Sequence, residues 1–285
     1  MRAAYLGPPG TNSHDALLAS GAEVEPVALP TVQAVVRAVQ GGEAEAGLVP
    51  LENSREGAVG GTLDALVFDA PDVAIVGEIV HRVTYVLVAE EQAWPDEVRT
   101  VHSHPQALGQ CARFLAEQLP GAALVSAPST ADAVRAVMED SPPGPGPHAA
   151  IGTRHAAALY GAVVLAEGLE DDAENLTRFA WIARAGAPSP VGGAPGRTAL
   201  VFWGGGDRAP GWLVDCLTEL SSRGVNLTRI ESRPRRVGLG HYMFFCDLDG
   251  AAEDPQVAAA IDGLRGHCER VRILGSFPPA RLGAP

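Results

Sequence analysis

Pro30-Thr31-Val32-Gln33-Ala34-Val35-Val36-Arg37-Ala38-Val39-Gln40-Gly41-Gly42 decides the fold. Val32, Val35, Val36 and Val39 recur at helical spacing, Gly41-Gly42 stops the run, and the strand-like Ala46-Gly47-Leu48-Val49 follows. About a hundred residues later the pattern returns. Pro128-Ser129 opens a helix whose Ala133-Val134-Arg135-Ala136-Val137 echoes Ala34 to Val39, and the Pro/Gly-rich loop 141–147 leads to the strand-like Ala149-Ala150-Ile151-Gly152. Upstream, strand 3–6 turns into a helix near Ser13, and strand 100–102 passes through His104-Pro105 into a helix near Gln106. Each half reads strand, helix, strand, helix, strand, which calls for right-handed crossovers and a mostly parallel sheet in each. Extended segments 82–89 and 178–183 join the halves, so the chain is predicted to be bilobal with a cleft. Ligands of open α/β sheets lie beyond the carboxyl ends of the strands, here at the expected turns Gly7-Pro8-Pro9-Gly10 and 50–54.

Residues 186–196, dense in Gly, Ala and Pro, read as a linker. Strand 198–203, helix 213–221, strands 227–232 and 242–248, helix 255–268 and strand 271–275 follow, with Asp254-Pro255 as N-cap and first turn of the second helix. This βαββαβ order is the ferredoxin-like split unit used by small regulatory modules.

A length of 285 residues suits about two domains, and 46% hydrophobic with 19% charged residues gives ample core. The net charge is −13, from 21 basic and 34 acidic residues, which disfavours nucleic acid and anionic membranes as partners. No lysine is present, so every basic residue is arginine; Schiff-base chemistry and a lysine-bearing phosphate loop are excluded. An anionic ligand must then be held by local arginines or backbone amides. Cys111, Cys216, Cys246 and Cys268 form no C-x-x-C pair, so neither a metal cluster nor a disulfide framework is expected. With no signal-like or membrane-length apolar run, the expected location is cytoplasmic.

Three segments carry candidate chemistry. In Gly7-Pro8-Pro9-Gly10-Thr11-Asn12-Ser13-His14, Gly10 permits close backbone approach, Thr11 and Ser13 offer hydroxyls, and the following helix presents free amides to an anion. The same letters fit a tight turn with Ser13 as an ordinary N-cap, and His14 reads as structural. In Val49-Pro50-Leu51-Glu52-Asn53-Ser54, polar groups follow an apolar strand directly and need either a ligand or a neighbouring loop to satisfy them; a helix cap fits equally. In Asn175-Leu176-Thr177-Arg178-Phe179, Arg178 could clamp a carboxylate and Thr177 donate to a leaving group, or Arg178 could pair with Glu170, Asp171 or Asp172.

In this order the three segments resemble the bacterial prephenate dehydratases, and the likeness extends through Val101-His102-Ser103-His104-Pro105-Gln106-Ala107-Leu108. Near the C-terminus, Gly224-Val225-Asn226-Leu227-Thr228-Arg229-Ile230-Glu231-Ser232-Arg233-Pro234 and Val271-Arg272-Ile273-Leu274-Gly275-Ser276 resemble an ACT domain. The resemblance implies an α/β fold: a bilobal, periplasmic-binding-protein-like catalytic domain plus a ferredoxin-like βαββαβ ACT domain. The implied division is 1–185 catalytic (lobe one about 1–80 plus 178–185, lobe two about 81–177), 186–196 linker and 197–278 regulatory. It implies conversion of prephenate to phenylpyruvate without cofactor or metal, feedback by phenylalanine, and a homodimer or homotetramer.

Carried over by motif, Thr177, Arg178 and Phe179 are catalytic, with Thr177 the essential hydroxyl, and Thr11, Ser13, Glu52, Asn53 and Ser54 bind substrate. Gly211, Leu213, Val214, Asn226, Leu227, Glu231, Ser232, Arg233 and Pro234 bind the effector. Glu52 is a candidate proton source. The sequence departs from the family pattern at Pro9, Asn12 and Asp15, which leaves arogenate as an alternative substrate. Trp212 stands where the family's GALV segment carries alanine, so an indole could fill or reshape the effector pocket. A decarboxylase that keeps the ring hydroxyl and a non-catalytic amino-acid sensor are the rival readings.

Overall fold

The computed structural model describes residues 1–92, 97–139, 142–206 and 209–280; Ser141 of the Pro/Gly-rich loop noted above lies outside them. The first lobe runs β1 (Arg2–Leu6), α1 (Asn12–Ala19), β2 (Glu25–Leu29), α2 (Val32–Gly41), β3 (Ala46–Asn53), β4 (Gly57–Ala58), α3 (Gly60–Phe68) and β5 (Val73–Arg82). The second runs β6 (Val86–Ala89), β7 (Thr100–Ser103), α4 (Pro105–Gln110), α5 (Ala112–Gln118), β8 (Ala123–Ser126), α6 (Thr130–Glu139), β9 (His148–Gly152), α7 (Arg154–Tyr160) and β10 (Val163–Glu167). Strand β11 (Leu176–Arg184) then returns to the first lobe.

Helix α2 forms as its letters dictate. The Thr31 hydroxyl caps the Ala34 amide, Gly42 ends the helix in the left-handed conformation, and Val32, Val35, Val36 and Val39 are buried. The first sheet has the order β2-β1-β3-β11-β5, with β4 paired to β3, and the second β10-β6-β9-β7-β8. The repeated strands pair in parallel, as β2-β1-β3 and β8-β7-β9. The crossing strands β11 and β6 pair antiparallel with their neighbours, β11 with β3 and β5 and β6 with β9 and β10, because they arrive from the other lobe rather than through a crossover helix.

One expectation is corrected: residues 50–53, read as a turn, continue β3 as strand. They do so because β11 supplies their partners, with Thr177 opposite Asn53 and Arg178 opposite Glu52. A bulge follows, since the next residue, Phe179, faces Pro50.

The C-terminal part runs β12 (Arg197–Trp203), α8 (Trp212–Ser221), β13 (Leu227–Pro234), β14 (Tyr242–Asp249), α9 (Pro255–His267) and β15 (Arg270–Phe277), in the order β13-β14-β12-β15. Helices α8 and α9 cover one face, around Leu200, Phe202, Trp212, Cys216, Leu248 and Leu264. The other face, through Val201, Met243, Phe245, Leu274 and Phe277, joins the core that Val35, Val36, Leu66, Ile75 and Ile182 build in the first lobe. Gly275 permits this approach, because a Cβ there would collide with the Ile75 carbonyl. Arg272 fastens the contact by donating to the carbonyls of Leu66, Ala70, Pro71 and Val73 at 2.8–3.2 Å. The four cysteines are free thiols, and no helix among the described residues is long and apolar enough to cross a membrane.

Candidate active site

The lobes meet along the turn before α1. Gly10, at φ +88°, lies so close to α7 that a Cβ would stand 3.0 Å from the Ala156 Cβ, and its carbonyl accepts from the Thr153 hydroxyl at 3.0 Å. Its amide donates to His14 Nδ1 at 3.1 Å, and the His14 ring stacks on Tyr5, so His14 holds the turn and the Gly10 amide is not free for an anion. Thr11, not Ser13, is the N-cap of α1, and its hydroxyl donates to the Leu6 carbonyl.

Two cavities share Asn12, Ser13, Tyr85 and Gln106. The larger, about 700 Å³, lies between the α1 turn and Pro128, Ser129 and Thr130 at the start of α6, with Thr11 and His104 on its wall. The smaller, about 400 Å³, reaches down to Asn53, Glu56, Gln110, Asn175, Thr177 and Phe179.

At its floor is a chain of side-chain amides whose polarity is fixed. Asn53 Oδ1 accepts from the backbone amides of Arg55 and Glu56 at 3.0 and 3.2 Å, so the other end of that side chain must be the NH2. Asn53 Nδ2 then donates to Thr177 Oγ1 and to Asn175 Oδ1, each at 2.9 Å. Asn175 Nδ2 passes the sense on to Gln110 Oε1 at 2.9 Å, which also accepts from the Tyr85 hydroxyl at 3.2 Å. Burial pushes the Tyr85 phenol up, so it stays a donor at neutral pH. Because Thr177 Oγ1 accepts from Asn53, its own proton is left to point into the cavity.

Strand alternation divides the Thr177-Arg178-Phe179 triplet. Thr177 and Phe179 face the cavity; Arg178, expected to clamp a carboxylate there, points to the opposite face. Its Nη2 lies 2.5 Å from Asp247 Oδ2 and 3.3 Å from Glu52 Oε2, and its Nη1 lies 3.3 Å from Glu78 Oε2. Burial alone would lower the Arg178 pKa, but these carboxylates hold it above the ordinary value. Neither the clamp nor pairing with Glu170, Asp171 or Asp172 is what Arg178 does.

Glu52, read as a cavity residue and proton source, shares that far face and also approaches Arg229 at 3.6 Å. The acidic residue on the wall beside Thr177 is Glu56. Ser54 closes the end of the β3–β11 pairing, accepting from the Leu176 amide and donating to the Glu174 carbonyl, and lines neither cavity.

Among the described residues, no arginine stands on the walls of the two cavities. The dipoles at the larger cavity are the first-turn amides of α1, left uncapped by Thr11, and the start of α6, where Ser129 caps the Asp132 amide at 2.9 Å and Asp132 itself lines the wall. Asn175, Tyr85, Gln106, Gln110 and Glu56 were not singled out as site residues from sequence. Asn175 opens the third motif and Gln106 lies in the quoted second-lobe segment, but Tyr85 and Gln110 carried no signal of their own.

In the C-terminal part, Gly211, Leu213 and Val214 line a third cavity of about 220 Å³ with Ala209, Trp212, Gly240, Tyr242 and Phe244. Trp212 does not fill it. Its ring packs on Phe202 and Phe244, and Nε1 donates to the His267 carbonyl at 2.8 Å. The remaining predicted effector residues lie off this cavity. Asn226 bonds Asp249 at 2.7 Å, Leu227 packs in the core under α8, and Glu231 to Pro234 lie on the edge strand β13. Arg233 turns toward the first lobe and forks onto Asp64 at 3.1 and 2.8 Å.

Comparison with known proteins agrees along nearly the whole chain. The prephenate dehydratase family model matches residues 3–187 and the ACT domain model residues 199–266. A prephenate dehydratase of Mycolicibacterium vanbaalenii is 40% identical over 290 residues, covering 96% of this chain and 90% of the relative. The crystal structure of prephenate dehydratase from Arthrobacter aurescens in complex with L-Phe superposes with a TM-score of 0.88 at 37% identity, covering 99% of this chain and 90% of that one. GqqA, described as a novel type of quorum quenching acylase, superposes at 0.85 with 31% identity and 98% coverage of both chains. The chain therefore belongs to the prephenate dehydratase family, with a C-terminal ACT domain.

Proposed function

We propose that the chain converts prephenate to phenylpyruvate, carbon dioxide and water in the cavity floored by Thr177, and that one observation carries this assignment of the chemistry. Asn53 donates to Thr177 Oγ1, so the hydroxyl proton is free to be given to a departing group. The electron pair of the breaking ring–carboxylate bond enters the ring as carbon dioxide leaves, and the ring hydroxyl departs at the opposite carbon, taking up a proton to become water. Aromatisation supplies the driving force, so the protein has to bind the carboxylates, align the two breaking bonds and assist the leaving hydroxyl. No cofactor enters this chemistry.

The first-turn amides of α1 and the start of α6 hold the carboxylates, with Ser13, Asn12 and Gln106 beside them. Phe179 packs against the ring. Glu56 stands on the wall of the same cavity as Thr177.

Acyl transfer is not favoured, since Thr177 Oγ1 accepts from the Asn53 NH2 donor and no base among the described residues accepts from it. Purified protein incubated with prephenate alone should yield phenylpyruvate by mass and ultraviolet spectrum. A product that keeps the hydroxyl would make it a decarboxylase. Turnover of arogenate only would change the substrate, and phenylalanine binding with no turnover of either would leave a sensor.

Phenylalanine is the proposed effector, bound at the cavity of Gly211, Leu213 and Val214. Glu231 and Ser232 on the free edge of β13 complete that site when a second copy pairs, in a homodimer or homotetramer. Val214, Ile230 and Tyr242, 65%, 42% and 44% exposed, give the pairing surface its apolar content. The proposed division keeps 1–185 as catalytic domain, 186–196 as linker and 197–278 as regulatory domain. The four free thiols suit a reducing cytoplasm.

A further inference from the structure

Arg178 belongs to a cluster that the proposed reaction does not use. Arg178 of β11, Arg229 of β13 and Arg197 of β12 meet Glu52 of β3, Glu78 of β5 and Asp247 of β14. Glu78 and Asp247 are 3% and 2% exposed, and Arg197 closes the far end through Glu78 at 2.7 Å. The charges balance, three against three, and they join strands β3, β11 and β5 of the first lobe to the C-terminal sheet.

Yet the donors outnumber their acceptors: Arg178 Nε, Arg197 Nε and Arg229 Nη2 are buried without a partner. A buried ionic cluster of this kind adds little net stability, and its best-attested use is to fix the register of the parts it joins.

We propose that Arg178 and Asp247 are positioning residues for Thr177, and that they carry the state of the C-terminal cavity to it. The proposal rests on the dehydratase reading above. The path is short at both ends. Thr177 is the neighbour of Arg178 on a strand whose next residue begins a bulge, the place where a ladder can shift without breaking. Tyr242 and Phe244, on the wall of the C-terminal cavity, lie on the same strand as Asp247, so Phe244 and Asp247 are about 10 Å apart along β14. Occupation of that cavity pulls on β14, Asp247 pulls on Arg178, and β11 moves Thr177 and Phe179 relative to the amides that hold the substrate.

Asp247→Asn keeps the shape and weakens the grip on Arg178. It should lower kcat tenfold or more with KM within twofold. It should also weaken inhibition by phenylalanine at least tenfold, while phenylalanine still binds by calorimetry. Asp64→Asn removes the other ionic tie between the same parts without touching β11, and should leave kcat within twofold. A folded Asp247→Asn enzyme with wild-type kcat and wild-type inhibition would overturn the proposal, as would an equal loss of kcat in Asp64→Asn. Should Asp247→Asn not fold, Arg178→Lys, which keeps the charge and loses the fork, is read against the same criteria.

If the wild type makes no phenylpyruvate, the dehydratase reading has failed, and hydrogen exchange over residues 176–184 tests the positioning on its own. Faster exchange there in Asp247→Asn but not in Asp64→Asn supports it, and equal rates overturn it.

Discussion

Asn53 Nδ2 donates to Thr177 Oγ1 across 2.9 Å, and this bond decides that the threonine acts as a donor. Replacing Thr177 by Val removes the proton while keeping the shape. Turnover should fall by roughly 10²–10⁴-fold with substrate affinity little changed. Thr177→Ser should restore a large part of it. Steady-state kinetics with calorimetric binding of prephenate check this, and near-normal turnover in the Val variant would refute the assignment.

Asn53→Asp keeps the oxygen that caps the Arg55 and Glu56 amides but loses the donors to Thr177 and Asn175. With this side chain buried, the loss should cost about 1–3 kcal/mol of stability in urea unfolding. It should also lower kcat more than it raises KM, because Thr177 is no longer held as a donor. An unchanged kcat would separate Asn53 from the chemistry.

Asp15 is held between α1 and α7, and burial raises its pKa from 3.8 to about 6, partly offset by a hydrogen bond with Thr153. Its Oδ1 is buried without a partner. The folded chain therefore binds this proton more tightly than the unfolded chain does. Stability contributed here falls as the pH rises from 3.8 to about 6 and stays lower above. Asp15→Asn should raise the unfolding free energy at pH 8 by on the order of 1–2 kcal/mol, seen as a higher Tm, and have little effect at pH 4. No rise at pH 8 would count against the buried carboxylate as a source of instability.

Asp64 shows the opposite sign. Burial would raise its pKa, but hydrogen bonds from Arg233 and Arg236 outweigh that and hold it below 3.8. Its contribution is full above 3.8 and is lost as the pH falls through the depressed value. Asp64→Asn should cost about 2 kcal/mol at pH 7, and the gap from wild type should close in acid. Thermal melts across pH distinguish this from a gap that stays constant.

Trp212→Phe removes the donor to the His267 carbonyl and should cost about 1 kcal/mol. The ring still fills the space against Phe202 and Phe244, so phenylalanine affinity by calorimetry should stay within a few-fold. Loss of binding would show that the indole contributes to the effector site directly.

The repeated halves and the βαββαβ tail were legible because valine spacing, capping residues and glycine stops act within a few residues, as in α2 with Thr31 and Gly42. The extension of β3 was not, because Pro50 reads as a turn until β11 is known to pair with it. Asn53 was singled out as a polar residue after an apolar strand and Thr177 through the motif that enters β11, and both line the smaller cavity. The facing of Arg178 and Glu52 was missed, although alternation along a strand already puts Arg178 opposite to Thr177 and Phe179. What gives that alternation a direction is Asp247, 69 residues further along the chain. Tyr85 and Gln110 escaped for a similar reason, since they join the site through contacts such as that between Asn175 and Gln110, 65 residues apart.

The shared core behind Gly275 means that the C-terminal ACT domain is no detachable accessory. Ending the chain before β12 would strip Ile75, Ile182 and Leu66 of their cover and take Asp247 from Arg178 and Arg197 from Glu78. The expected product of such a truncation is an aggregating fragment rather than an unregulated enzyme. A strain engineer seeking phenylalanine overproduction from this chain should therefore replace single residues around Leu213, Val214 and Tyr242, and leave the sheet beneath them whole.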